Sequence, residues 1–320
     1  LKESSPLQQM TYAWGIGVGQ RIAERVLAQQ AVSWVLKCQF TLARWLVLNN
    51  VRKLIGIHRA RLLLTGAAPI SPALIKWYLS LGVPMLEAWG MTETCGASTA
   101  MTAARIKPGS IGPAAAFNEV RLDPKTHEIL VRGPNVFMGY LNLPEKTAEA
   151  IDADGWLHTG DVAQWVPTPD LPQQQEIKIV DRKKDIMITA GGKNISPSEI
   201  ENMLKFSGFI KEAIIVADKR HFVSALIQVD GETVGKWAEE KAITYTNFKS
   251  LAEHAAVRDL VSQEVEAVNR RMPQVQHVRK FHLLTKELDH DDGEVTATMK
   301  IRRESIASKY SGEVEAMYRG

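Results

Sequence analysis

At 320 residues, with 45% hydrophobic and 23% charged side chains, the chain can bury a substantial core in about two domains. Its 39 Lys and Arg stand against 36 Asp and Glu, a net charge of only +3, so the whole-chain field selects no nucleic acid partner. Two cysteines, Cys38 and Cys95, exclude a disulfide scaffold and suit a reducing compartment, the cytoplasm being the simplest reading.

The chain opens on Leu1 rather than Met, and 1–9 reads as chain already in progress, so a fragment is expected; no signal peptide opens it. Gly15-Ile-Gly-Val-Gly19 imitates a phosphate loop but follows no strand and lacks the Lys-Ser/Thr ending. Over 22–50 the spacing predicts a long helix, with Val32, Leu36 and Phe40 on one apolar line and Val35, Leu42 and Leu46 on the next. Lys37, Arg44, Arg52, Lys53, Arg59 and Arg61 give this region a basic side. That side reads either as a solvated helix face, which the dispersed charges favour, or as peripheral attachment to an anionic inner-membrane surface. The least charged stretch, 62–86, is interrupted by Pro69, Pro72, Pro84 and Lys76 and does not read as a membrane span.

Residues 61–65 read as a buried strand, followed by the turn Gly66-Ala-Ala-Pro-Ile-Ser-Pro72 into a helix. A second strand over 84–89 ends in Gly90-Met-Thr-Glu93. Together they make half of an α/β unit, whose ligand crevice lies beyond the strand C-termini. From 108 to 180 glycine and proline punctuation predicts a small β-barrel or sandwich, with a short helix over 147–151 and a loop at 167–172.

Ile177 and Ile179, then Ile186 and Ile188, alternate as short strands, and Asp181-Arg-Lys-Lys-Asp185 forces a charged turn between them. Gly191-Gly192 permit unusual backbone angles. Ser196, Pro197 and Glu199 supply an N-cap, a first-turn proline and a dipole-compensating acid. Beyond them come strands over 212–217, 222–229 and 281–284, a helix over 231–241, and a helix over 251–271 with Val257, Val261, Val265 and Val268 on one face. Asp289-His-Asp-Asp-Gly293 fails the calcium-loop pattern, since its glycine comes one position early, and reads as an acidic turn.

Five motifs carry a resemblance. Asp181-Arg-Lys-Lys-Asp-Ile186 with Gly191-Gly-Lys-Asn-Ile-Ser-Pro-Ser-Glu-Ile-Glu201 resembles the hinge of the adenylate-forming acyl-CoA synthetase superfamily, in wording most similar to the bacterial long-chain fatty acid ligase branch. Trp89-Gly-Met-Thr-Glu93, Gly155-Trp-Leu-His-Thr-Gly-Asp161 and Gly66-Ala67-Ala68-Pro69 resemble its nucleotide motifs. Gly293-Glu-Val-Thr-Ala-Thr-Met-Lys-Ile-Arg-Arg303 resembles its terminal lysine motif. Trp89 stands where the family commonly has Tyr, and Thr298-Met299 where it commonly has Ser-Gly.

The resemblance implies an α/β plus α+β fold. Residues 1–182 would be part of a large N-terminal AMP-binding domain (an α/β unit and a small β-barrel), and 183–320 a small mobile α+β C-terminal domain, hinged near Lys184. It implies ATP, Mg2+ and coenzyme A as reactants or cofactors and a fatty acid as the acid activated. Gly66, Ala67 and Ala68 would lie against adenine, Trp89 would stack on it, and Gly90 would let the nucleotide approach the backbone. Asp161 would accept from the ribose hydroxyls and Arg182 would contact the ribose. Thr92 would bond the α-phosphate and Glu93 would hold the magnesium. Lys184 would be the pivot, Gly191 or Gly192 would line the pantetheine tunnel, and Lys300 would be the catalytic lysine. The family's own phosphate loop has no counterpart in 1–66. That leaves two alternatives: a non-catalytic nucleotide-binding module, and a ligase for a medium-chain or aryl acid. Oligomeric state has no signature in the sequence.

Overall fold

Ser5 and Pro6 start the first helix, α1 (Pro6–Leu27), with a reciprocal cap. Gln8 N–H donates to Ser5 Oγ at 3.4 Å, and Ser5 N–H donates to Gln8 Oε1 at 3.0 Å. The computed structural model describes residues 5–68, 70–168, 175–297 and 300–319. Pro69 of the expected adenine-side turn, 169–172 of the expected loop, and Thr298-Met299 lie outside the described residues.

Gly15-Ile-Gly-Val-Gly19 lies inside α1 and serves packing. A Cβ on Gly19 would stand 2.1 Å from the Ser80 carbonyl oxygen, at the end of α4 (Pro72–Ser80), and a Cβ on Gly15 would stand 3.3 Å from Val47 Cβ. The one helix expected over 22–50 is corrected to separate pieces. Helix α1 ends at Leu27, and Gln29 takes a left-handed φ of 53°. Ser33 Oγ then accepts from Leu36 N–H to start α2 (Trp34–Ala43), which runs through a π turn into α3 (Asn49–Leu54). The serine side chain competes locally with helix continuation, which periodicity does not register.

Strand β1 (Leu63–Thr65) pairs in parallel with β2 (Met85–Met91), α4 forming the crossover, and β3 (Gly96–Ala100) pairs antiparallel on the other side of β2. The first strand is not buried as expected: it is an edge strand with Leu64 69% exposed, because only one side has a partner. The strand-and-turn texture of 108–180 becomes a four-stranded sheet, β4 (Glu119–Leu122), β5 (Glu128–Arg132), β6 (Leu157–Val166) and β7 (Glu176–Arg182), in that order, with α5 (Pro144–Ala150) between β5 and β6. Ile111 N–H donates to Ile177 O at 2.8 Å and Ala100 N–H donates to Pro113 O at 3.2 Å, so the short run after Ser110 links the two sheets edge to edge. Trp89, Ile111, Ile129, Val131, Ala163 and Ile177 form the core beneath.

The chain divides into two compact units, one ending at Val180 and the other beginning at Asp181. The second unit opens with the hairpin β8 (Met187–Ile188) and β9 (Asn194–Ile195), then α6 (Pro197–Leu204). Its sheet has the order β10-β11-β12, from β10 (Ile210–Val216), β11 (Val223–Val229) and β12 (Val278–Leu283). The central strand is wholly buried, and its side chains alternate between two cores. Val223, Ala225, Ile227 and Val229 join Val257, Val261, Val265 and Val268; Leu226 joins Leu284, Ile306 and Val314. Helix α7 (Gly231–Glu240) follows β11. The helix expected over 251–271 is two, α8 (Phe248–Ala252) and α9 (Ala255–Asn269), because His254 Nδ1 accepts from Ala256 N–H and begins a new cap. Helices α10 (Arg303–Lys309) and α11 (Ser311–Tyr318) close the unit. Among the described residues no helix is long and apolar enough to cross a membrane.

Two predictions follow from buried positions in the first unit. Gly19→Ala should destabilise the chain by about 2 kcal/mol or more in urea unfolding, since backbone must move to admit the methyl. Gly17→Ala, which meets nothing within 4 Å, should be neutral or gain up to about 1 kcal/mol of helix propensity; equal losses at both positions would contradict the packing account. The second concerns Glu87 on β2, 8% exposed, with Oε2 lacking a hydrogen-bond partner. Burial pushes its carboxyl up to about 7, with the Ile70 N–H pulling the other way. The folded state therefore keeps a proton that the unfolded chain releases. The protonated side chain's contribution is full below the unfolded value of 4.5 and is lost as pH rises to about 7. Unfolding free energy should fall by up to roughly 3 kcal/mol across that window, and Glu87→Gln should flatten the profile.

Candidate nucleotide site and hinge

In the first unit the expected nucleotide residues gather at the C-terminal end of β2. Gly66, Ala67 and Ala68 form an exposed turn after β1, with Ala67 at a left-handed φ of 64°. A Cβ on Gly66 would stand 2.7 Å from the Ala88 carbonyl oxygen, so the turn lies directly on β2 backbone. Ala67 holds a conformation that costs an L-residue about 1 kcal/mol, a local strain of the kind that collects at binding turns.

Trp89 reaches Asp161 from that strand: indole Nε1–H donates to Asp161 Oδ2 at 2.7 Å. The ring is only 7% exposed and packs in the core. Asp161 belongs to β6 rather than to a free glycine turn. Gly160 has a φ of 74°, the pairing register with β5 shifts here, and Gly160 N–H donates to the buried Glu128 Oε1 at 2.9 Å. The extra residues form a bulge, a device that re-aims one side chain within a strand. At Gly90 the direction a Cβ would take is filled, with Gly96 O only 1.8 Å away. The glycine lets the β3 backbone close in on β2.

Thr92, Glu93 and Thr94 make one 3-10 turn after β2, with Thr92 exposed and Glu93 half-buried. Cys95 follows at a left-handed φ of 50°. A loop the sequence analysis did not single out clamps this turn. Tyr140 Oη donates to Glu93 Oε1 at 2.8 Å, Phe137 N–H donates to Glu93 O at 2.8 Å, and Asn135 Nδ2 donates to Thr94 O at 3.2 Å. The bond to Glu93 holds the Tyr140 phenol above its ordinary range, so it remains a donor. The only local signal is the Gly133-Pro-Asn-Val-Phe-Met-Gly-Tyr140 punctuation, which marks a loop without naming its partner.

In the second unit Arg182, Lys183 and Lys184 are exposed on a turn closed by Asp185 N–H donating to Arg182 O at 2.9 Å. Gly191 and Gly192 form the exposed tip of the β8–β9 hairpin, and only Gly192, with a φ of 72°, uses the left-handed region. Ser196 does not cap α6 with its side chain. Instead the buried Asp181 carboxylate accepts from Ser196 Oγ at 2.8 Å, Ser198 N–H at 3.0 Å and Ser198 Oγ at 2.9 Å.

Lys300 is exposed, on a stretch held by Thr296 N–H donating to Lys300 O at 2.8 Å and by a bridge between Val295 and Ile301. Below it Glu294, 0% exposed, accepts from Tyr310 Oη at 3.0 Å and pairs with Lys309 Nζ at 2.7 Å and Lys286 Nζ at 3.0 Å. The acidic turn thus belongs to an ion-pair network in which Asp292 also meets Lys286 and Lys309. Arg303 binds the Glu201 carboxylate through both terminal guanidinium nitrogens, at 2.7 and 2.6 Å, which ties the segment after Lys300 to α6.

Family models for an AMP-binding enzyme and for an AMP-binding enzyme C-terminal domain match residues 23–141 and 184–320. FadD11 of Mycobacterium tuberculosis, named as a fatty-acid–CoA ligase, is 32% identical over 99% of this chain and 54% of its own length. The long-chain-fatty-acid–CoA ligase ACSBG2 of Gallus gallus is 33% identical over 99% of this chain and 43% of its own. The chain therefore spans about half the length of the curated relatives it matches. Among solved structures, the adenylation domain of a carboxylate reductase from Mycobacterium chelonae aligns with a TM-score of 0.65 at 20% identity, over 95% of this chain and 45% of that one, which shows a shared fold. On these two models and relatives, the chain belongs to the AMP-binding enzyme family.

Proposed function

We propose that the chain works in an AMP-forming long-chain fatty acid–CoA ligase. The fatty acid carboxylate attacks the ATP α-phosphorus and pyrophosphate leaves; the thiolate of coenzyme A then attacks the acyl carbonyl and AMP leaves. The observation that carries this reading is the gathering of the Gly66–Ala68 turn, Asp161, Thr92 and Glu93 around the end of one strand, as a nucleotide with adenine, ribose and phosphate in sequence requires.

In this reading Gly66, Ala67 and Ala68 offer exposed backbone to adenine, with Trp89 and Gly90 closing the adjacent strand. Asp161 accepts from the ribose hydroxyls and Thr92 bonds the α-phosphate. Glu93 suits magnesium: a single half-buried carboxylate braced by Tyr140 fits a small cation that keeps most of its shell for phosphate oxygens and water. Bound there, the ion would draw charge from the phosphates. In the second unit, Arg182 contacts the ribose, Lys184 is the pivot between the two units, and Gly191 or Gly192 borders the pantetheine path. Lys300 is the cation that offsets charge between the attacking carboxylate and the phosphate.

A lipid substrate also gives a reason for a membrane-facing surface. Residues 25–86 contain no Asp or Glu and eight Lys or Arg. On α2 and the π turn that continues it, Trp34 and Trp45 are 75% and 74% exposed, and Leu42 and Leu46 are exposed as well. Exposed indoles among uncompensated cations suit an anionic bilayer surface, where each cation adds about 1 kcal/mol.

ATP/pyrophosphate exchange with palmitate should appear when this chain is joined to the preceding half of a curated relative. Lys300→Ala should then slow adenylation by about a hundredfold or more while slowing thioester formation from supplied acyl-AMP far less; equal losses would remove the assigned role. AMP binding without exchange in any form would favour the nucleotide-binding module instead. In sedimentation, the chain should bind vesicles containing phosphatidylserine and not those of phosphatidylcholine alone, and Trp34→Ser with Trp45→Ser should weaken that binding. Indifference to lipid charge would rule out the membrane reading.

A further inference from the structure

Trp89 stands where the family commonly has Tyr, and its ring is committed to the protein core. The indole is 7% exposed and packed with Ile111, Ile129, Val131, Ala163 and Ile177. Stacking a purine takes an open ring face, and so little exposed area offers almost none. What the side chain does present is its one polar atom. Nε1–H meets Asp161 Oδ2 at 2.7 Å, at the short end for an N–H donor and typical of a charge-assisted bond to carboxylate. A buried indole N–H needs an acceptor, and an aspartate on a strand bulge needs its rotamer fixed. One bond meets both needs.

We propose that Trp89 is a positioning residue for ribose recognition: by fixing one oxygen of Asp161 it sets the carboxylate plane that the ribose hydroxyls meet. The inference rests on the proposed nucleotide site and gives Trp89 a role at the sugar. Three features support it. The donor has a single N–H on a rigid bicyclic ring, so it defines a direction as well as a distance. The ring is locked by the core that holds β2 and β6 together. On the Asp161 side the backbone is set independently, by Gly160 N–H on the buried Glu128 and Asp161 N–H on Thr159 Oγ1 at 3.2 Å. With both ends anchored, loss of the bond removes this restraint on the carboxylate and leaves the strands in place. Tyr in this position would put its hydroxyl at the far end of a single ring, where the indole N–H is not, so the two residues are not interchangeable in this role.

The test measures affinity for AMP and for 2′,3′-dideoxy-AMP by calorimetry on this chain. In the unsubstituted chain AMP should bind more tightly than its dideoxy analogue. Trp89→Phe should weaken AMP about tenfold, the scale of one charge-assisted hydrogen bond, and leave the dideoxy analogue nearly unchanged, so that discrimination collapses. In an Asp161→Asn background the same substitution should add little. Replacing Trp89 by its benzothiophene isostere, which keeps the shape and loses only the N–H, should reproduce the Phe result if Phe itself disturbs folding. Equal weakening of both nucleotides by the isostere, or retained discrimination, would overturn the assignment. Failure of the unsubstituted chain to bind AMP would overturn the nucleotide site itself, and this inference with it.

Discussion

Four carboxylates that have left water but kept hydrogen-bond donors hold the backbone around Asp161, the helix after the charged turn and the segment that carries Lys300. Glu128 accepts from Gly160 N–H, which sets the bulge that presents Asp161. Asp181 accepts from Ser198 N–H and thereby caps the helix after the charged turn. Glu201 accepts from Ile215 N–H at 2.8 Å while gripping Arg303, and Glu294 accepts from Asp289 N–H at 3.0 Å beneath the loop that carries Lys300. All four are buried. An ionised carboxylate without partners in such a place would cost several kcal/mol, so each fixes the backbone amide that satisfies it.

This arrangement separates rigidity from reactivity. The groups that would meet a ligand, Thr92, Arg182, Lys184, Gly191, Gly192 and Lys300, are exposed, whereas the four carboxylates are buried. Glu93 is the mixed case, half-buried and braced by a phenol from a loop 47 residues away. A site built from exposed tips on buried anchors can shed water at the tips when a ligand arrives without disturbing the core.

Local chemistry made much of the fold legible. Pro72 and Pro197 mark helix starts that form where the spacing puts them, and the valine series from Val257 to Val268 faces the core as its period requires. Periodicity fails where one side chain restarts the backbone, as at Ser33 and His254, because a cap is a single residue and leaves the apolar pattern unbroken on either side. Partnerships across long stretches of chain were not legible either. The motifs name Trp89 and Asp161 separately, yet nothing in their spacing states that two residues 72 positions apart meet in one hydrogen bond. The glycines carry the same lesson in reverse: nothing near Gly19 or Gly90 in the sequence names Ser80 or Gly96, the backbone that each of them lets close in.

The bidentate grip of Arg303 on Glu201 also sets a mechanical property of the second unit. Glu201 sits on α6 and Arg303 lies three residues beyond Lys300, so the pair works as a strut between that helix and the segment that carries Lys300. A side chain that stands in solvent on that segment is thereby held at a fixed distance from a helix whose own face is packed in the core.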